Sequence, residues 1–209
     1  MGAPELGVET KSPHIGIDIS PLFFQKTGIG YYVEHLVRSV VPLRQDFQWS
    51  LFKVPGRKVS ELDLRINGEN CRVNNRPWVL PARLTSLLLQ SPWQKWVTLE
   101  TFLGKIDLFH STNFFCFSQK WGKRVITVYD LTPFLFPEYH PRKRVIFFNK
   151  FLPASLKMAD QIIAISQNTK QDLMEHFQVP AEKITVTYLA APQTFQPVHR
   201  QEAEPVLSR

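Results

Sequence analysis

The sequence predicts an α/β domain in which a parallel sheet carries helices on both faces. Three observations lead there. Short apolar runs with β-branched character, such as His14-Ile15-Gly16-Ile17-Asp18-Ile19 and Val125-Ile126-Thr127-Val128, recur along the chain. Segments of helical periodicity separate them, and strands that alternate with helices imply right-handed crossovers and a parallel sheet. The 209 residues suffice for one domain with a sizeable core, without a metal or disulfide to staple it.

Residues 1–13 read as a disordered leader without the apolar stretch of a signal peptide. His14 to Ile19 is a short buried strand, and a loop from Ser20 to Thr27 leads to Gly28-Ile29-Gly30. Val33, Leu36, Val37 and Val40 then fall at i, i+3, i+4 and i+7 of a helix that Pro42 ends. Phe47 to Val54 is a second strand, stopped by Pro55-Gly56. Residues 55–82 hold a turn at Asn67-Gly68 and a short strand near Cys71 to Val73, and residues 83–103 are helical with a break at Ser91-Pro92. Asp107 to His110 and Arg124 to Tyr129 are strands. A Pro- and aromatic-rich loop, Asp130 to Pro141, enters a basic helix that ends near Ala159. Gln161 to Ile165 is a strand, Ser166 caps a helix through Phe177, and Ile184 to Tyr188 is the last strand. The domain therefore spans residues 14–191, with 192–209 as a linker or tail.

Composition removes several classes. Hydrophobic residues at 44% and charged residues at 21% exclude a disordered or collagen-like chain. Cys71 and Cys116 form no CxxC, which argues against a disulfide scaffold or a cysteine zinc site and suits a reducing compartment. No apolar run approaches the roughly 18 residues of a bilayer span. The net charge of +7 favours anions, but no helix-turn-helix, RNP or zinc-finger pattern supports nucleic acid as the partner. HExxH, GxSxG, P-loop and GxGxxG patterns are absent, so no metal and no dinucleotide cofactor is expected. Pro55-Gly56 also closes the second strand where a ribose-binding carboxylate would stand.

In parallel sheets ligands bind beyond the carboxyl ends of the strands, and polar clusters stand at those places. Gly28, Ile29 and Gly30 open the first helix, where free N–H groups and the dipole attract anions; a tight turn explains them equally. His110, Ser111, Thr112 and Asn113 end a strand and could face a sugar or acceptor hydroxyl, the alternative being a histidine satisfied by nearby backbone. Tyr129 and Asp130 end the next strand, with Glu138, Tyr139 and His140 further along the same loop. Such a loop supplies acid–base or sugar-orienting groups, unless Asp130 is a cap and the aromatics are packing. Ser166 is a helix cap at another strand end. On the basic helix, at roughly 100° per residue, Val145, Phe148, Leu152, Leu156 and Ala159 share the core face. Phe147, Phe151 and Met158 fall nearly opposite, flanked by Lys143, Arg144, Lys150 and Lys157 with no acidic residue. That stripe suits an anionic membrane surface, or burial against another subunit or a further domain.

Four stretches resemble the N-terminal half of the retaining glycosyltransferases of family 4 (group 1). They are Ile15 to Asp18 with Thr27 to Val33; Asp107 to Asn113; Val125 to Leu131 with Phe136-Pro137-Glu138; and Ala159 to Ser166 with Thr169, Asp172-Leu173 and Lys183 to Val186. Each is modest alone; their order over residues 14–197 makes the match specific. The resemblance implies a Rossmann-like half of a GT-B fold, which binds acceptor, while a second half holds a nucleotide-sugar donor without a metal. It implies that Gly28 and Gly30 lie near the donor phosphates and acceptor. Tyr129 and Asp130 would lie near the transferred sugar, with a tyrosine where many members have histidine. His110, Ser111 and Asn113 would face the acceptor.

The resemblance also implies a partner, a donor-binding domain in cis or in trans, without which this chain has little transferase activity. The acceptor is then a glycan or a lipid-linked saccharide, handled in the cytoplasm or peripherally at the inner face of the membrane. The rival is a non-catalytic binding or interaction module of the same fold.

Overall fold

The computed structural model describes residues 12–23, 27–54, 71–73, 98–191, 197–200 and 204. Seven strands form one sheet: β1 His14–Asp18, β2 Gln48–Phe52, β3 Cys71–Val73, β4 Leu108–Ser111, β5 Lys123–Val128, β6 Gln161–Ala164 and β7 Ile184–Val186. Their order is β3-β2-β1-β4-β5-β6-β7, and every pairing is parallel. The chain therefore builds outward in one direction to β3, then returns to the middle and builds the other way. The reversal point lies between β1 and β4, where Ile15 to Ile17 pair with Leu108 to His110. No helix among the described residues is long and apolar enough to cross a membrane.

Helix α1 (Gly28–Leu43) covers one face. Val33, Val37 and Val41 meet Ile17 and Ile19 from the first strand and its end, with Trp49 and Leu51 of β2. The spacing is i, i+4, i+8, so Val41 is buried where the sequence pattern points to Val40. Two further differences stand at its ends. Gly28-Ile29-Gly30 form its first turn instead of preceding it, and Pro42 lies within its last turn. A proline there removes only one ladder bond near the helix end, where the chain is about to leave.

The opposite face is covered by α4 (Arg142–Met158), α5 (Gln167–Phe177) and the aromatic segment after β4, together with the short helices α2 (Glu100–Leu103) and α3 (Thr132–Leu135). Phe148, Leu152 and Leu156 of α4 pack on Ile126 and Val128 of β5 and Ile162 of β6. Beside them Phe52, Phe109 and Phe117 form an aromatic cluster with ring centroids 5.5–5.9 Å apart. Each such edge-on pair contributes about 0.5–1.5 kcal/mol beyond its buried area. The cluster explains Gly16: a Cβ there would stand 2.5 Å from the Phe109 ring. Gly122, at φ +80, starts β5 against the backbone of Ile106 and Asp107.

The stripe on α4 is only partly free: Phe147 stays 37% exposed, while Phe151 and Met158 are half-buried. Phe151 packs on Phe115 at 5.6 Å, Phe147 packs on Phe114 at 5.9 Å, and Met158 joins the core beside β5 and β6. The physical reason is the segment Phe114 to Phe117, which folds back over the helix. The loop from Asp130 to Pro141 is likewise more ordered than a loop, holding α3 and a 3-10 turn at Pro137–Tyr139. Most of the leader, the turn at Asn67-Gly68, the break at Ser91-Pro92 and most of the tail lie outside the described residues.

Candidate functional site

The strand ends that meet at the reversal point are tied together by side chains. Asp18 is 5% exposed, and its Oδ1 accepts from Ser20 N at 2.9 Å, which turns the chain away from β1. Thr112, after β4, donates its hydroxyl to the Asp18 carbonyl at 2.7 Å. Tyr129, after β5, donates its hydroxyl to the Thr112 carbonyl at 2.7 Å. Thr169 of α5 donates to the Tyr129 carbonyl at 2.9 Å. Ser166 completes the series by capping α5, accepting from Thr169 N at 3.0 Å. One relay of hydrogen bonds thus fixes the ends of β1, β4 and β5 and the start of α5 relative to each other. Sequence reasoning missed Thr112 and Thr169 as ties, because a threonine at a strand end carries no signal of its own.

Above this edge lies a cavity of about 580 Å³. Its polar lining is Thr27, Asn113, Tyr129, Asp130 and Arg144. Ile29, Phe114, Phe147 and Phe148 supply much of the remainder. Two groups are held ready. Asp130 Oδ1 accepts from Thr132 N at 2.9 Å and from the Thr132 hydroxyl, so Oδ2 is left without a partner among the described residues. Asn113 Oδ1 accepts from Phe114 N at 2.9 Å, which leaves its amide N–H groups available. The first backbone bond of α1 runs from Tyr31 N to Thr27 O at 3.1 Å, so the N–H groups of Gly28, Ile29 and Gly30 precede the helical ladder. Thr27 does not cap them with its side chain. A Cβ on Gly28 would meet nothing within 4 Å, so the space beside it is open. An uncapped helix start with open space beside it favours an anion.

Tyr129 is not placed to move protons. Burial, with the nearby Tyr32 and Asp18, pushes the Tyr129 hydroxyl well above its ordinary value. Its proton is spent on Thr112, its ring stands edge-on to Tyr32 at 5.5 Å, and one side of it faces the cavity. What it offers the cavity is its ring and the lone pairs of its oxygen.

Of the residues singled out from sequence, the structure brings Ile29, Asn113, Tyr129, Asp130 and Phe147 to the cavity, with Gly28 and Gly30 in the helix turn beside it. Others stand elsewhere. His110 is buried under α1, its Nε2 2.8 Å from the Thr127 hydroxyl, and burial lowers its pKa to about 4. Ser111 is 2% exposed. Both belong to β4 itself, below its end, and neither lines the cavity. Glu138 is exposed on the 3-10 turn, and Ser166 serves its cap. Lys150 and Lys157 are exposed on α4 and away from the cavity. Cys116 is no nucleophile: burial pushes its thiol up to about 12. No group of three or more His, Cys, Asp or Glu is gathered among the described residues.

A doubly wound parallel sheet with a cavity at its reversal point, beside an uncapped helix start and one available carboxylate, defines a Rossmann-like α/β domain. The chain matches the model for Glycosyltransferase Family 4 over residues 27–191, and it belongs to that family. It is 27% identical over 195 residues to O-antigen chain mannosyltransferase B of Escherichia coli, covering 90% of this chain and 50% of that protein. It is 31% identical over 65 residues to O-antigen chain mannosyltransferase RfbU of Salmonella typhimurium, covering 31% of this chain and 18% of that protein. Among solved structures, a sucrose-phosphate synthase from Thermosynechococcus elongatus superposes with a TM-score of 0.58 at 13% identity, over 95% of this chain and 53% of that one. That likeness shows the fold, a Rossmann-like half of the GT-B kind. The chain spans about half the length of the longest-matching curated relative.

Proposed function

We propose that this chain is the acceptor-side half of a glycosyltransferase that moves a sugar, with retention, from a nucleotide-activated donor to a glycan or lipid-linked acceptor. The observation that supports it most is Asp130. A family member presents a carboxylate with one oxygen pinned by Thr132 and the other open to a cavity at the reversal point. Such an oxygen accepts from a sugar hydroxyl and orients the ring for reaction. The start of α1 would face the donor diphosphate, whose charge grows as the sugar departs. No metal is called for. The identity to an O-antigen mannosyltransferase makes GDP-mannose the first donor to test, with UDP-sugars next.

The cavity is open on one side, and the matched relative extends about as far again as this chain. Stabilising a leaving diphosphate takes groups fixed on both sides of it. We therefore propose that turnover requires a donor-binding half in cis or in trans. The test is transfer of radiolabelled mannose from GDP-mannose to a lipid-linked saccharide. It compares this chain alone with this chain paired with a donor-binding half. Transfer only in the pair, with the product in the anomeric form of the donor, supports the reading. Turnover by the 209-residue chain alone refutes the requirement for a second half. Absence of transfer from every nucleotide-sugar favours the non-catalytic module.

A further inference from the structure

Asp130 reaches the cavity from a short stretch of chain between β5 and α3, and three threonines fix that stretch. Thr132 holds the carboxylate, with its N–H donated to Oδ1 at 2.9 Å. Thr112 holds the preceding ring, its carbonyl accepting the Tyr129 hydroxyl at 2.7 Å. The third, Thr169, holds the backbone between them. Its hydroxyl donates to the Tyr129 carbonyl at 2.9 Å, from 40 residues further along the chain. That carbonyl lies one residue beyond the last ladder pair of β5, Val128 with Ala164. It shares one rigid peptide plane with the Asp130 N–H. Turning the carbonyl therefore turns the backbone from which the carboxylate hangs.

The proton of Thr169 has one direction. A carbonyl only accepts, so Thr169 gives its proton to Tyr129. The Thr169 hydroxyl is also 2.9 Å from the Ser166 hydroxyl, and Ser166 must be the donor in that pair. Ser166 meanwhile accepts from Thr169 N at 3.0 Å. Two hydroxyls thus form a directed chain that ends on the Tyr129 carbonyl. A helical threonine commonly returns its hydroxyl to a carbonyl one turn back in its own helix; Thr169 spends it on a different element. Thr169 is 5% exposed and does not line the cavity, so it acts from behind the site.

We infer that Thr169 is a positioning residue: its hydroxyl fixes the Tyr129–Asp130 peptide plane, so that the open carboxylate oxygen of Asp130 is aimed into the cavity before a sugar arrives. This deepens the transferase reading and rests on it for the effect on turnover; the positioning itself stands on the geometry. A group oriented in advance lowers the barrier without tightening ground-state binding, so its loss falls on kcat rather than KM.

Two measurements test it. In the 209-residue chain alone, NMR hydrogen exchange of the Thr132 amide reports on the carboxylate that accepts from it. Thr169→Val keeps the branched shape and removes the hydroxyl. It should speed Thr132 exchange roughly 10-fold, while amides inside β5 and β6 change by less than about two-fold. Thr169→Ala, which also lacks the hydroxyl, should behave alike, and Thr169→Ser should restore the parent rate. In the chain paired with its donor-binding half, Thr169→Val should lower kcat for mannose transfer roughly 10-fold, with KM for GDP-mannose within about two-fold of the parent. Thr169→Ser should recover most of that kcat. Unchanged Thr132 exchange in the two variants without a hydroxyl overturns the inference. Equal acceleration throughout β5 and β6 also overturns it, because the domain is then loosened as a whole. Turnover equal in the parent and Thr169→Val overturns it as well. The transferase reading fails separately. If the parent pair transfers nothing from any nucleotide-sugar, that reading falls, and the exchange measurement still decides whether Thr169 aims Asp130.

Discussion

Replacing His110 with glutamine should change how stability depends on pH. Native His110 is neutral, because burial lowers its pKa from 6.5 to about 4. The unfolded chain takes up that proton below its ordinary pKa of about 6.5, while the folded chain resists until about pH 4. Between these values the unfolded state binds more protons. Stability is therefore full above about pH 6.5 and falls as pH is lowered towards 4. At about 1.4 kcal/mol per pH unit the loss is about 3 kcal/mol. For a domain of this size that lowers Tm by roughly 6–12 °C. A glutamine amide in place of the imidazole reaches the Thr127 hydroxyl and does not titrate. The variant costs something at pH 7, but its Tm should fall less between pH 7 and 4 than that of the parent. Thermal unfolding of both proteins across this range isolates the histidine from the carboxylates they share. Parallel Tm curves, or a His110 imidazole resonance, assigned by its loss in the variant, that titrates near pH 6.5 in the folded protein, would refute the assignment.

Gly122→Ala should lower stability by about 2–4 kcal/mol, joining left-handed strain to a clash with the backbone of Ile106 and Asp107 that no rotamer relieves; chemical denaturation measures it. Ser166→Ala should cost about 1 kcal/mol by uncapping α5, seen as a lower denaturation midpoint with an unchanged slope. Asp130→Asn, in the protein paired with its donor-binding half, should reduce transfer by about 10²-fold while Tm moves by less than about 3 °C, because the amide oxygen can still accept from Thr132. Equal transfer rates for parent and variant would remove Asp130 from the site.

Strands carried their own evidence in the sequence. Val125 to Val128 and Gln161 to Ala164 have the apolar, β-branched content of strands covered on both sides, and both lie in the parallel sheet that the alternation of elements predicts. The carboxyl-edge site was legible for the same reason, since polar residues follow each run. What stayed hidden depends on contacts between distant segments. Periodicity ranks faces of α4 but cannot show that Phe114 and Phe115 fold over Phe147 and Phe151. The same limit hid His110: one residue's register decides whether an imidazole ends in the cavity or beneath α1, and β4 places it beneath.

The sheet order has a consequence for how the chain comes to be folded. β1 lies inside the sheet, yet of the seven described strands it is the first to be made. Its second neighbour arrives far later: the bond from Thr112 to Asp18 joins residues 94 apart. At about 5–20 residues per second, a ribosome leaves one flank of Ile15-Gly16-Ile17 unpaired for roughly 5–20 s. During that interval the nascent N-terminal half presents a bare apolar strand edge, the kind of surface that pairs with other chains. Slowing translation between residues 20 and 108 should therefore lower the yield of native protein, and a holdase that masks extended strands should restore it.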